Sequence, residues 1–225
     1  MKKNKCFFCL FFFLLFSSRS FAYQNDFALK MGVAYTYTRV SQVEITDALP
    51  LGFGLSSHVG YRWEKWEINM SSYLNFSKLK SMIVEANGST IKGDGNFQSV
   101  TFGPTFRYHI HEYAIKSGSP YVVGGVHTAV QTMNFGVNSV TVDGGNFNDN
   151  HKLTLEGYGF LTGIGLDQNK KEKHNYYMEL IYVLNASRKT SEVAGTTQVE
   201  LIARENSHKR IFENTFFLCI GMTLF

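Results

Sequence analysis

The sequence predicts an all-β fold, a membrane-spanning up-and-down antiparallel β-barrel of eight strands. Three observations predict it: side chains that alternate between apolar and polar, an N-terminal segment of the kind that directs export, and connections that alternate between short and long. Short turns at one end and long loops at the other are the usual layout of membrane-spanning barrels. A barrel of ten strands is the alternative.

The N-terminus has the features of a secretory signal peptide. Three lysines precede the apolar run Cys6–Phe16, which is shorter than the roughly 20 residues that a membrane-spanning helix needs. Small residues follow the run, as a signal peptidase requires. We therefore expect cleavage between Ala22 and Tyr23, so that residues 1–22 are the signal peptide and residues 23–225 form the barrel domain.

Removing that segment balances the charge of the chain. The whole sequence has 22 Lys+Arg against 18 Asp+Glu, and the segment holds four of the basic residues and no acidic one: Lys2, Lys3, Lys5 and Arg19. A neutral mature chain does not support a nucleic-acid-binding surface. Cys6 and Cys9 leave with the segment, so Cys219 has no partner for a disulfide within the chain.

The first half of the mature chain contains four segments with clear alternation: 27–38, 51–62, 66–77 and 100–110. In residues 27–38 the side chains between the bulky apolar ones are small or polar. The bulky set is Phe27, Leu29, Met31, Val33, Tyr35 and Tyr37. A period of two is that of a strand with two different faces, so each segment predicts one strand.

The second half is noisier but still predicts four strands, at 121–131, 157–166, 176–186 and 212–225. In the last strand the bulkier set is Phe216, Leu218, Ile220, Met222 and Leu224. The terminal Phe225 is one residue out of phase with that set. We therefore expect either a bulge in this strand or a last residue that overhangs it.

The connections between these strands differ in length. Those at Trp63–Trp66, His111–Ser119 and Asp167–His174 are short, whereas those at Arg39–Pro50, Lys78–Phe97, Thr132–Lys152 and Ser187–Arg210 are long. Two alternating segments inside long loops, Ser81–Val84 and Gln198–Ala203, could extend hairpins above the membrane, and they are the reason for the ten-stranded alternative. The termini and short turns are expected in the periplasm.

A lipid environment explains this pattern. Hydrocarbon offers no hydrogen bonds to the backbone, so strands must close on themselves with their apolar faces outward. A soluble sandwich alternates too, but with its apolar side chains inside. Glycines and charges on the minority face, tyrosine and tryptophan near strand ends, and the loop lengths favour the barrel.

The polar faces are then expected to meet in one lumen. The charged residues expected there are Lys30, Arg62, Glu67, Arg107 and Glu179, and His58, His127 and Glu213 have a compatible phase. An eight-stranded barrel is only wide enough for side chains to fill it, and buried charges persist only when they are paired. We expect a plug of salt bridges, with a gated path for small ions as the alternative.

Two patterns that could bind a cofactor have structural explanations. Gly157, Gly159 and Gly163 lack the spacing of a nucleotide-binding loop and precede no helix, so we expect them to give bulky lumen partners room. His109 and His111 could meet on one metal ion. No third ligand is identifiable nearby, so we expect a surface or turn pair, no metal site and no cofactor.

Catalysis is also not predicted. Ser56 and His58 share one face of a strand, but the His-x-Ser arrangement expected of a barrel deacylase is absent. No catalytic residue is therefore assigned.

Three segments carry a resemblance to a known family: Pro120–Val126, Gly157–Gly165 and Ile220–Phe225. They resemble the small eight-stranded outer-membrane β-barrel family that includes the OmpA-type, OmpX-type and opacity-type proteins. The resemblance covers essentially the whole mature chain. It implies a bacterial outer-membrane location and a role for Phe225 as the signal that the barrel-assembly machinery reads.

The expected function is structural: an integral outer-membrane protein of the cell envelope, with exposed loops available for adhesion or recognition. A narrow channel or a conduit for small hydrophobic solutes is the alternative, and a lipid A-modifying enzyme is third. The expected partners are outer-membrane lipid and lipopolysaccharide, without nucleic acid, and the chain is expected to be a monomer. The basic residues expected near lipopolysaccharide phosphates are Arg188, Lys189, Lys209 and Arg210.

Overall fold

The computed structural model describes residues 26–40, 43–45, 51–86, 89–110, 118–135, 140–142, 145–147, 151–168, 175–194, 197–199 and 212–224. Its long strands, numbered β1 to β8, are Asp26–Val40, Leu51–Trp63, Trp66–Ala86, Ser89–His109, Gly118–Phe135, His151–Gln168, Asn175–Ala194 and Phe212–Thr223. Within these ranges no helix has the length and apolar character needed to cross a membrane. The expected signal peptide and its cleavage site at Ala22 and Tyr23 lie outside the described residues.

The long strands form one closed antiparallel ring. Each pairs with the next along the chain, and β1 closes the ring on β8, with Lys30 opposite Thr223 and Val40 opposite Glu213. Short strands flank the ring at Val43–Ile45, Val140–Val142, Gly145–Phe147 and Thr197–Val199. The eight-stranded prediction is therefore confirmed, and the ten-stranded alternative is wrong.

The expected loop at Lys78–Phe97 is instead mostly strand. β3 continues to Ala86 and pairs with the start of β4, and Ser81–Val84 lies inside β3. The register shifts between Leu79 and Met82. That bulge breaks the period of two, which is why alternation alone did not extend the strand through these residues.

The two ends of the ring differ. The tight turn between Trp63 and Trp66 lies at the same end as Asp26 and Thr223, here called the inner end. At the opposite, outer end, β3 and β4 run on as a hairpin to Ala86 and Ser89, and β6 and β7 stay paired as far as His151 and Ala194. The lengths of the connections in the sequence predict this difference between the two ends.

The outer wall is apolar over most of its height. The exposed large side chains include Val33, Phe53, Met70, Phe102, Val126, Ile164 and Leu180. From Trp66 to Phe76, strand β3 spans about 25 Å along the barrel axis, at roughly 3.3 Å per residue and about 40° of tilt. That height matches the hydrocarbon layer that an outer-membrane barrel crosses.

Aromatic contacts mark both edges of this belt. At the inner edge the rings of Trp66 and Tyr108 lie 4.8 Å apart. At the outer edge Phe53 stacks on Phe76 at 5.5 Å, and Phe216 contacts Tyr182 at 4.9 Å. Aromatic side chains favour the boundary between hydrocarbon and water, so these pairs locate the two membrane surfaces.

The last strand has the phase that its bulkier set predicts. Phe216, Leu218, Ile220 and Met222 face outward, and the register with β1 is regular from Glu213 to Thr223, without a bulge. The Leu224 N–H donates to the Leu29 carbonyl at 2.8 Å, which continues the ladder. The expected assembly signal, Phe225, lies outside the described residues.

Candidate functional site: the barrel lumen

Charged side chains converge inside the barrel near its inner end. Because side chains alternate across the wall, five strands each send a charge inward, and Arg62 lies at the margin of the group. The described cations are Lys30, Arg62 and Arg107, and the carboxylates they contact are Glu67, Asp167 and Glu179. We call these six residues the charged layer.

Arg107 joins the carboxylates of two opposite walls. Its Nη1 donates to Glu67 Oε1 at 2.8 Å, and its Nε donates to Glu179 Oε1 at 2.9 Å. The Tyr121 hydroxyl donates to the same Glu179 oxygen at 2.7 Å. Arg107 and Glu179 are both completely buried. Charge-assisted hydrogen bonds of this kind are what keep buried ions stable in a low dielectric.

Lys30 joins Glu67 to a third carboxylate. Its Nζ lies 3.2 Å from Glu67 Oε2 and 2.9 Å from Asp167 Oδ2. The same ammonium lies 5.2 Å from the ring centre of Tyr121, a cation–π distance. A side chain at Gly165 would collide with that ring, so the absence of a side chain there leaves space for Tyr121.

Asp167 was missed by the sequence reasoning, which assigned it to a short turn. It is the penultimate residue of β6 and faces inward. The signal was present, because Asp167 is in phase with the inward glycines at 163 and 165. The side chain of Glu213, by contrast, lies outside what the structure describes.

The prediction of a surface or turn pair at His109 and His111 is wrong for His109. This histidine is buried at the end of β4, with Nε2 3.3 Å from Glu67 Oε2 and Nδ1 3.3 Å from Ser119 Oγ. His109 is in phase with the inward-facing residues of β4, so its side chain lies in the lumen. His111 lies outside the described residues.

His109 lies beside side chains with potential metal-ligating atoms, which the sequence did not predict. Possible ligand atoms of Glu67, His109 and Asp167 all lie within 4.8 Å of one another, a donor set that suits a divalent transition metal. However, the Lys30 ammonium contacts both carboxylates. It supplies the positive charge that a metal ion would bring, so the geometry favours an ion-pair cluster over a metal centre.

Ser56 and His58 both face inward but do not bond to each other. Ser56 Oγ lies 2.9 Å from the Tyr177 hydroxyl, and His58 Nδ1 lies 2.9 Å from Ser71 Oγ. The other ring nitrogen, His58 Nε2, lies 3.5 Å from Glu179 Oε2. The arrangement orients the imidazole inside the wall and does not prepare a nucleophile.

The lumen is not polar throughout, contrary to the expectation of a single polar interior. Next to the charged layer lies a cluster of buried side chains, here called the apolar layer: Ala34, Tyr73, Val123, Leu161, Tyr177, Ile181, Val183, Phe217 and Cys219. The Tyr73 and Phe217 rings lie 5.3 Å apart across it. Inward apolar residues were overlooked because they do not contrast with the outward apolar face.

Uncharged polar groups fill the lumen beyond the apolar layer. Thr36 Oγ1 donates to Asn75 Oδ1 at 2.6 Å, and Asn75 Nδ2 donates to Thr38 Oγ1 at 2.7 Å. His127 on β5 bonds to Asn185 on β7 over Gly159 of the intervening strand β6. The described lumen is thus occupied by side chains from its charged inner end to these amides and hydroxyls.

The residues expected to contact lipopolysaccharide are only partly described. Arg188 and Lys189 belong to β7 by their backbone, but their side chains lie outside what the structure describes. Lys209 and Arg210 lie outside the described residues altogether.

A closed ring with an apolar outer belt, aromatic edges and a polar, ion-paired lumen defines the class: a small eight-stranded β-barrel of the bacterial outer membrane. No protein-family model and no curated protein matches the chain.

Solved structures to which the chain is similar include the following three. Neisserial surface protein A is 14% identical and matches 88% of this chain and 97% of its own, with a TM-score of 0.47. Ail, the attachment invasion locus protein of Yersinia pestis, is 18% identical over 89% of this chain and 99% of its own, with a TM-score of 0.35. Acinetobacter baumannii CarO is 9% identical over 85% and 96%, with a TM-score of 0.32.

Proposed function

We propose that this protein is a non-conducting structural component of the outer membrane whose outer end is used for adhesion or surface recognition. The observation that carries the proposal is the filled lumen. Arg107 and Tyr73 have no exposed surface and Phe217 only 1%. A barrel that has no room for solute is suited to anchoring and display.

The two layers argue against the narrow channel. An ion entering from the inner end meets Arg107 held by two carboxylates. Beyond it lies the apolar layer, where an ion would lose its hydration without gaining a partner. Transport would require both layers to rearrange.

The outer end supplies the surface for recognition. The outward side chains of β3 and β4 become polar at Lys78 and Gln98, which marks the upper edge of the belt. The β3–β4 hairpin then continues from Lys78 to Ala86, which is about 26 Å of strand at roughly 3.3 Å per residue. It presents a large surface to the cell exterior.

We assign no catalytic role to Ser56 and His58. The hydroxyl of Ser56 and the imidazole of His58 each bond to a different neighbour inside the wall. We propose further that the chain is monomeric, binds no nucleic acid, is inserted through recognition of Phe225 by the assembly machinery, and lies among lipid and lipopolysaccharide.

Planar-bilayer recording tests the closed lumen. The purified mature chain should give no sustained conductance, because both layers fill the cross-section. Large, sustained currents at moderate voltage would overturn the structural role in favour of a channel. Heat-modifiable migration on gels verifies that the protein tested is a folded barrel.

Truncation of the hairpin tests the recognition role. Leu79 pairs with Gly95, so replacing residues 80–94 by Asn-Gly should leave a tight turn just above the belt. Cells displaying the full chain should adhere to host or prey surfaces more strongly than cells displaying the truncated barrel. Equal adhesion, with equal amounts of both proteins in the outer membrane, would contradict a role for this hairpin.

A further inference from the structure

Two cations lie on the outside of the barrel at the outer edge of the apolar belt. Arg39 near the end of β1 and Lys78 in β3 are both exposed and face outward. Only β2 separates their strands, and it begins at Leu51 opposite Tyr37. Neighbouring strands are roughly 4.8 Å apart, and Arg39 lies two residues beyond Tyr37, which is level with Lys78. The two side chains therefore originate about 12 Å from each other.

Apolar side chains continue the same face toward the membrane centre. Tyr37 and Leu51 lie one step inward of Arg39, and below them Phe53 stacks on Phe76 at 5.5 Å. Phe53 and Leu51 are 57% and 40% exposed on the outer wall. A molecule bound by the two cations would therefore lay its apolar part on this surface.

Neither Arg39 nor Lys78 forms an ion pair with another described residue. Both stand where the wall passes from hydrocarbon into the headgroup region, which is where phosphate groups of lipids are concentrated.

The outer edge changes on the strands that follow. Asn96 on the adjacent strand β4 lies opposite Lys78, and the exposed Asp94 is two residues farther from the membrane centre on that strand. On β6 the exposed cation Lys152 is followed on the same face by Glu156. Of the described exposed cations at this edge, Arg39 and Lys78 are therefore the two that stand near each other.

We propose that Arg39 and Lys78 bind the phosphorylated glucosamine headgroup of lipid A, with its acyl chains on Leu51, Phe53 and Phe76. Arginine grips phosphate through two parallel hydrogen bonds, and lysine adds a second point charge. Lipid A carries phosphate groups above several acyl chains. This surface carries two cations above exposed apolar side chains, so the two match. This site rests on the proposed outer-membrane role and uses residues other than the basic ones expected at 188, 189, 209 and 210.

Lipid binding to the purified full-length mature barrel tests the site. Native mass spectrometry or fluorescence titration with diphosphorylated lipid A should show binding that Arg39→Gln combined with Lys78→Gln weakens at least about tenfold, since two charge-assisted contacts are lost. Lys152→Gln, the matched outer-edge variant, should bind as the unchanged chain does. Glutamine keeps the size and polarity of these exposed positions, and heat-modifiable migration verifies folding of each variant.

Three outcomes would overturn the site. The double variant could bind lipid A as tightly as the unchanged chain, or Lys152→Gln could weaken binding equally, which would indicate a general attraction. Dephosphorylated lipid A, phosphatidylglycerol or inorganic phosphate could also bind equally well, which would remove the headgroup specificity. In each case a barrel that resides in the outer membrane and does not conduct leaves the proposed structural role standing.

Discussion

Near the inner end of the lumen Glu67, Arg107 and Glu179 face one another as ions, whereas the next inward residue of β7, Ile181, packs in an apolar layer. Glu179 and Ile181 are only two residues apart and both are completely buried. The same wall therefore closes the lumen by two different means. In one layer opposite charges are matched, and in the other side chains fill the volume.

The difference shows how a barrel of this width tolerates ions. Each charge in the charged layer has a partner on another strand. Lys30 with Glu67 and Asp167, and Arg107 with Glu179, join strands that share no ladder hydrogen bonds, whereas Arg107 and Glu67 lie opposite each other on the paired strands β4 and β3. The apolar layer needs no such matching, because its stability depends on volume. The charged layer should therefore fail when one partner is removed, and the apolar layer should fail in proportion to the volume removed.

The largest effect is expected for Arg107→Met. The substitution leaves the Glu179 carboxylate buried without its cation, and loss of one partner of a buried ion pair costs about 3–5 kcal/mol. The free energy of unfolding, measured by urea titration of the barrel in lipid vesicles, should fall by that amount.

A second substitution distinguishes charge from volume. In Arg107→Met combined with Glu179→Gln, the orphaned charge is gone, while Glu67 keeps Lys30 at 3.2 Å. The double variant should recover about 1–3 kcal/mol, because a buried pair replaced by uncharged groups is often close to neutral. A double variant less stable than Arg107→Met would show that packing, and not charge, holds this layer.

A somewhat smaller loss is expected for Phe217→Ala in the apolar layer. Phe217 packs on Tyr73, and removing a buried phenylalanine side chain costs about 3 kcal/mol or somewhat more. The same urea titration measures it. Phe217→Leu, which keeps most of the volume, should lose markedly less, and an equal loss for both variants would contradict a layer stabilised by volume.

Labelling of the Cys219 thiol is a second test of the packing of the apolar layer. It is fully buried in the cluster that contains Phe217, and it is the only cysteine after residue 22. Its thiol should resist polar alkylating reagents in the folded barrel and become reactive in Phe217→Ala. Rapid labelling of the unchanged chain would show that water reaches the apolar layer.

The contrast between the layers also separates what the sequence could predict from what it could not. The phase of Lys30, Glu67 and Glu179 followed from alternation, because a charge stands out on a strand whose other face is apolar. Ile181 and Val183 did not stand out, since both faces of β7 are apolar at that height. Periodicity predicts which side a residue faces, but not that the lumen is apolar there.

Other differences have local causes. The bulge between Leu79 and Met82 shifts the alternation of β3, so the alternation did not predict that the strand continues beyond it. Asp167 was assigned to a turn because strand ends cannot be located from alternation to within two residues. The contact of Lys30 with Asp167 could not be predicted, because it joins strands that are neighbours neither in the sequence nor in the ring.

Tyr177 lies at the border of the two layers, and removing its hydroxyl should have a modest effect. Its ring belongs to the apolar layer, while its hydroxyl lies 2.9 Å from Ser56 Oγ. Tyr177→Phe should lower the free energy of unfolding by about 1 kcal/mol, the usual net value of one hydrogen bond. Ser56→Ala should have a similar effect, and the two substitutions together should cost less than their sum. Strict additivity would show that the two hydroxyls do not interact.

The smallest effect is expected for Arg62→Met, at the inner margin of the charged layer. Arg62 Nη1 lies 3.9 Å from Asp167 Oδ2, and its side chain is 16% exposed, so water can replace part of the interaction. Asp167 keeps the Lys30 ammonium at 2.9 Å after the substitution. The free energy of unfolding should therefore fall by less than about 1 kcal/mol. A loss as large as that of Arg107→Met would mean that the charged layer extends to the mouth of the barrel and that all three of its cations are required.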